Sequence, residues 1–222
     1  MVRITKIVGV FIVILLMGEV AYAAEQTDVK SPFNWSGTYV GAFVAQSWAN
    51  LKYYEPDYPG FDRNPNIKGL TGGAFLGHNF KVDSMVLGVE ADAGFGKLSE
   101  DPDKSASNSY SAFDVDWNAH VRARIGRNFD AVLLYVAGGL AFAKVTVDDT
   151  DANWGEDHAT HVGWTIGAGV EHAITKSLRV RVEYLYDDYG SKDYTITGDY
   201  SYRSNVDLTA HIIRAGLTYY FQ

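Results

Sequence analysis

Cysteine is absent from the 222-residue chain, so neither disulfides nor thiolate metal sites hold it together. No basic patch appears anywhere, and 27 acidic residues face only 19 Lys and Arg. That balance argues against nucleic acid as a partner, because phosphate binding needs a basic face. Beyond residue 23 no apolar run approaches the roughly 20 residues of a transmembrane helix. Helical periodicity is scarce as well, since apolar residues do not recur at three- and four-residue intervals.

The first residues read as an address. Arg3 and Lys6 form a positive start, residues 7–17 (IVGVFIVILLM) an apolar core, and Ala21-Tyr22-Ala23 an A-x-A cleavage site. A signal peptide over residues 1–23 is expected, with the mature chain starting at Ala24. Its removal takes Arg3, Lys6 and Glu19 away and changes the formal net charge from −8 to −9. What remains, residues 24–222, suits one domain.

The chain as a whole is rich in glycine (22) and in aromatic residues (15 Tyr, 11 Phe, 5 Trp). Beyond residue 23 its apolar residues alternate with polar or small ones, a period of two. Eight such segments are read, near 36–48, 68–81, 84–97, 113–127, 131–146, 160–174, 177–189 and 206–221. Each is long enough to cross a bilayer as a tilted strand. In the third, Leu87, Val89, Ala91, Ala93 and Phe95 share one face, while Gly88, Glu90, Asp92 and Gly94 share the other. The fourth and seventh repeat the contrast, with Arg122 and Arg124, then Arg181 and Glu183, on the non-apolar face.

A soluble barrel would alternate too, so the connections have to decide. Tight turns fall near 82–83, 128–130 and 174–176, and long polar loops near 49–67, 98–112, 147–159 and 190–205. Short turns at one end and long loops at the other are the pattern of an outer-membrane barrel. The non-apolar face also carries small residues such as Gly88, Gly126, Gly139 and Gly169. Inside a narrow barrel these make room for long neighbouring side chains, so the charged face is turned inward.

With that, the segments FNWSGTYVG (33–41), GGAFLGHNF (72–80), LGVEAD (87–92), LLYVAGGLAFAKV (133–145), GWTIGAGVEHAIT (163–175) and LRVRVEYLYDDYG (178–190) carry a likeness. They resemble the small eight-stranded outer-membrane barrels of the porin-opacity type, and more narrowly the immunogenic outer-membrane proteins of host-associated bacteria. The resemblance implies an all-β, eight-stranded antiparallel up-and-down transmembrane β-barrel in the outer membrane. It also implies a terminal aromatic residue read by the barrel-assembly machinery. Phe221 fills that role here, one place early because the chain ends on Gln222.

Ten aromatic residues fall on the outward face, among them Trp48, Phe80, Phe95, Trp117, Phe142, Trp164, Tyr219 and Phe221. They suit girdles at the headgroup level. On the inward face Glu90, Asp92, His120, Arg122, Arg124, Arg181, Glu183 and Arg214 fall at comparable heights, with Arg179 and Glu171 nearer the turns. Unpaired charges in so confined a space are costly, so a paired lumen network is expected. A catalytic reading of the same groups fails for want of substrate access. An open channel fails on size, because eight strands enclose only enough room for side chains.

Function is therefore sought in the loops. The stretch 147–159 carries Asp148, Asp149, Asp151, Glu156 and Asp157 without the ordered spacing of a calcium loop. His158 and His161 beside it invite a haemin reading, which the resemblance allows. Tyr53, Tyr54, Tyr58, Tyr194, Tyr200 and Tyr202 suit recognition surfaces. The expectation is a protein of the outer membrane with a structural or surface-interaction role (envelope integrity, host contact, surface antigen), with no enzymatic activity, metal or cofactor. Its partners would be outer-membrane lipid, the assembly machinery and host surface ligands or haemin. A surface haemin or ligand binder is the alternative, and an outer-membrane lipid-modifying enzyme a more distant one.

Overall fold

A computed structural model describes residues 33–54, 66–100, 111–149, 157–197 and 201–221; the expected signal peptide lies outside them. Eight strands form: β1 (Gly37–Tyr54), β2 (Asn66–Val82), β3 (Met85–Glu100), β4 (Ser111–Phe129), β5 (Val132–Asp149), β6 (Asp157–Ala173), β7 (Leu178–Thr197) and β8 (Ser201–Tyr220). Each pairs antiparallel with its chain neighbours, and β1 closes on β8 to complete the barrel. Among the described residues this closure leaves no free sheet edge for other chains to pair with.

The alternation read from sequence decides which side faces in. Val89, Val121, Val136 and Val182 are exposed on the outer surface, where β-branched side chains suit both the strand backbone and lipid. Their neighbours Glu90, Arg122, Ala137 and Arg181 are buried. All ten aromatic residues assigned outward lie on that side, Trp164, Phe80 and Phe95 among the more exposed of them.

Asp83 and Asp130 begin the two-residue β2–β3 and β4–β5 turns with φ of 54° and 51°. Aspartate tolerates this left-handed region better than most residues. Inward glycines accept the large rings of neighbouring strands. A Cβ on Gly41 would lie against the Phe75 ring, and one on Gly77 would lie on the Tyr39 hydroxyl.

The strands run further than the alternation suggested. Tyr53 and Tyr54 belong to β1, Asp148 and Asp149 to β5, Asp157 to β6, Tyr194 to β7 and Tyr202 to β8. Much of the loop regions expected at 49–67, 98–112, 147–159 and 190–205 is thus paired ladder; Tyr58, Asp151, Glu156 and Tyr200 lie outside the described residues. The physical reason is that past the bilayer the outer face meets water and turns polar, as at Lys52 and Lys68, while the inner face stays packed. The outward apolar signal then ends while backbone pairing continues, and strands of 16 to 20 residues exceed the roughly 9 to 11 that a bilayer needs. A bulge between Val115 and Trp117 also turns Val115 inward beside Leu98, and both are buried.

Inside, three layers stack along the barrel axis. Trp35, Val86, Leu133 and Ala173 pack at the turn end. Charged residues fill the middle, and Leu51, Ile67, Leu98, Val145, Val206 and Leu208 pack at the loop end. A cavity of about 20 Å³ lies near this upper layer, lined in part by Ser47, Thr71 and Asn118. It is room for about one water.

Candidate functional site

The ladder itself sets opposite charges across from one another. Glu90 is the direct cross-strand partner of Arg122, and Asp92 of His120; Glu183 faces Arg214. All eight residues expected in the lumen network come together, each of them buried.

Glu90 is the hub. Its Oε1 accepts from Arg122 Nη2 at 2.5 Å and Arg181 Nη2 at 2.8 Å. Its Oε2 accepts from Arg181 Nη1 at 2.6 Å and the Tyr39 hydroxyl at 2.9 Å. Arg122 reaches on to Glu183 at 3.0 Å, which also accepts from Arg214 Nε at 2.5 Å. Arg214 holds Asp92 through both terminal nitrogens, at 3.0 and 3.3 Å. Such charge-assisted, two-pronged pairs are the strong class of hydrogen bond.

His120 stands between two carboxylates. Nδ1 is 2.8 Å from Asp92 Oδ1 and Nε2 is 3.0 Å from Asp187 Oδ2. At the other side Arg124 donates to Glu171 at 2.8 Å and to Asn79 at 3.1 Å. Glu171 thus joins the band as expected. Arg179 is turned to the turn end, where it donates to the Asn34 carbonyl and lies over the Trp35 and Tyr220 rings at 4.2 and 3.2 Å.

β1 and β2 contribute aromatic rings where β3, β4, β6, β7 and β8 contribute charge. Arg181 lies 3.9 Å from the Phe75 centroid and Arg214 4.9 Å from that of Phe43. Aromatic faces attract cations most when both are desolvated. Arginines therefore have carboxylates on one side and rings on the other.

Sequence reasoning left Asp187, Tyr39, Asn79 and Tyr220 out of the network, although the alternation puts Asp187 on the charged face. With Asp187 the buried acids Glu90, Asp92, Glu171, Glu183 and Asp187 match five buried arginines, 122, 124, 179, 181 and 214. The signal was available, because Asp187 shares strand parity with Arg181 and Glu183. Tyr220 accepts from Asn79 at 2.7 Å and stacks on Tyr39 at 4.8 Å; its neighbour Phe221 drew the attention to the outer face.

His158, expected at the end of the loop 147–159, lies within β6 instead, together with His161 of the segment read at 160–174. His161 is 1% exposed, turned inward by the same parity that buries Thr165 and Glu171. The acidic stretch before it is partly ladder rather than loop, for the reason given above. Phe221 is half-exposed on the outer surface; its N–H donates to the Thr38 carbonyl at 3.0 Å and its ring meets Tyr219 edge-on at 5.5 Å.

The family model described as "Outer membrane protein beta-barrel domain" matches residues 11–221. A 22 kDa outer membrane protein of Rhizobium leguminosarum bv. viciae is 33% identical over 179 residues, covering 80% of this chain and 76% of the relative. A 25 kDa outer-membrane immunogenic protein of Brucella abortus is 31% identical over 196 residues, covering 87% and 83%. Among solved structures, OprG of Pseudomonas aeruginosa superposes with a TM-score of 0.58 at 10% identity, covering 86% of this chain and 98% of that one. Neisserial surface protein A does so with a TM-score of 0.50 at 17% identity, covering 84% and 98%. These two likenesses concern the fold.

Proposed function

The chain belongs to the family of outer-membrane β-barrel domains, and on that premise we propose that it is a sealed barrel serving as an envelope component and surface-contact protein, with no catalytic activity of its own. The observation that carries this reading is the charged band across the interior. Four arginines and five carboxylates, with His120, occupy the mid-barrel and Arg179 lies just below them, each at most 7% exposed. A water-filled path would hydrate these groups; here they meet one another and the rings of Phe43 and Phe75. Eight strands leave about enough interior for side chains alone.

The same burial argues against chemistry at Asp92, His120 and Asp187. Their arrangement has the form of an acid–base relay, yet their side chains are 1% exposed or less. A substrate would have to pass Leu98 and Leu208 above or Trp35 below. Structural ion-pair networks perturb charged groups just as catalytic sites do.

Contact with the outside then falls to the loop ends, which the relatives' description as immunogenic supports. The barrel wall would contact outer-membrane lipid through its apolar band and girdles, and Phe221 would present the terminal aromatic to the assembly machinery. The test is to replace the four loop-end connections with short turns in cells. The folded barrel is expected to persist, with the usual gel shift between unheated and boiled samples, while antibodies raised against whole cells lose their binding. Unchanged binding would refute the surface role. Haemin provides a separate check: no Soret shift on titration at micromolar concentration is expected, and a shift abolished by His158→Ala with His161→Ala would overturn that expectation.

A further inference from the structure

Residues 33–36 precede the first strand and fold beneath the barrel. Trp35 is completely buried, against Val86, Leu133, Tyr135, Ala137 and Ala173. Its indole Nε1 donates to the carbonyl of Asp130 at 3.1 Å. That carbonyl sits in the β4–β5 turn, where the left-handed conformation of Asp130 helps set the direction of the chain. On the inner side the Arg179 guanidinium lies between the rings of Trp35 and Tyr220 and donates to the carbonyl of Asn34. The Ser36 hydroxyl donates to the Asn79 carbonyl at 3.1 Å. The segment is thus tied to β2, the β4–β5 turn and β7.

The ladder does not need this segment. β1 pairs with β2 from Gly37 and with β8 from Tyr39, so the barrel closes without residues 33–36. Small side chains line the turn end, notably Ala131, Ala137 and Ala173, and leave a hollow that the indole fills. Directly inside that hollow begin Arg179, Glu171 and Arg124.

We propose that residues 33–36 form a plug at the turn end of the barrel, with Trp35 as its stopper and Arg179 as its clamp. Sealing from the periplasmic side then depends on a segment held by side chains, not on the strands. Release of the plug would leave the wall intact and open the charged band to solvent from one side only. The inference rests on the reading of a sealed interior and goes beyond it by naming what makes the seal on this side.

The lack of native cysteine allows a clean test. Ala137→Cys places one thiol in the turn-end layer, and Lys52→Cys, at an exposed position, serves as the accessible control. Both are made in the full chain, folded in detergent, and treated with a small charged thiol reagent. The buried thiol is expected to react at least a hundredfold more slowly than the control. Adding Trp35→Ala is expected to speed it tenfold or more while the unheated gel band stays folded; Trp35→Phe, which keeps a ring in the hollow, is expected to leave it slow. A folded Trp35→Ala protein that reacts as slowly as its parent overturns the plug. Should Trp35→Ala not fold, Arg179→Met removes the clamp alone, and a rate equal to the parent's overturns the inference as well. Fast reaction of the parent itself would instead refute the sealed interior, so the two failures are distinguishable.

Discussion

Glu90→Gln removes the charge on which the band converges while keeping the side chain's size. Glu90 accepts four hydrogen bonds, three from arginine nitrogens and one from Tyr39. Breaking a buried ion pair by removing one partner costs about 3 to 5 kcal/mol, because the other charge stays buried. Two features put the expected cost at the lower end. Arg122 keeps Glu183 at 3.0 Å, and Arg181 keeps Glu183 at 3.5 Å and Glu171 at 3.6 Å. About 3 kcal/mol is therefore expected. The assay is urea unfolding of the protein in vesicles, followed by tryptophan fluorescence and by the unheated gel band. With slopes of about 1 to 3 kcal/mol per molar urea, the midpoint should fall by about 1 to 3 M. Combining Glu90→Gln with Arg181→Met should cost less than the two single changes added, since neighbours in one network couple. A midpoint shift under about 0.3 M for Glu90→Gln would refute the reasoning, because only a hydrated, screened carboxylate could be neutralised so cheaply.

Three further outcomes are expected. Val121→Arg, on the exposed outer face, should lower stability in vesicles by about 2 to 4 kcal/mol; stability unchanged within about 0.5 kcal/mol would mean that face meets water. Gly139→Val should yield little or no folded band on unheated gels, because a Cβ there would lie on the Val121 carbonyl and 2.8 Å from the Arg122 Cα, backbone atoms that no rotamer change can move. Phe221→Ala should reduce the folded protein reaching the outer membrane of cells severalfold while the purified chain still refolds in detergent. Equal losses in both settings would make Phe221 a stability residue only.

The fold was legible because a bilayer forces a two-residue contrast onto every strand, and Leu87 to Phe95 displays it without interruption. Inward Glu90, Asp92 and Arg122 could be read for the same reason. Legibility ended where the contrast ended. Beside buried Leu51 and Ile67 the outward neighbours are Lys52 and Lys68, so these strand positions left no lipid-facing apolar signature. His158 looked like a loop residue because the acidic run before it hid the ladder. Tyr39, Asn79 and Tyr220 were overlooked although their parity is inward, since aromatic and amide groups do not announce themselves as members of a charge network. Trp35 lies outside any strand, and its place under the barrel depends on the turn at Asp130 and on Arg179. Only tertiary structure brings those together.

The sealed interior is the claim on which the rest depends, and solute flux measures it most directly. Vesicles carrying the folded protein, placed in an isotonic solution of a pentose, are expected to swell no faster than protein-free vesicles. Swelling that increases with the amount of protein and falls with the size of the sugar would contradict the account, and would make the charged band the lining of a pore.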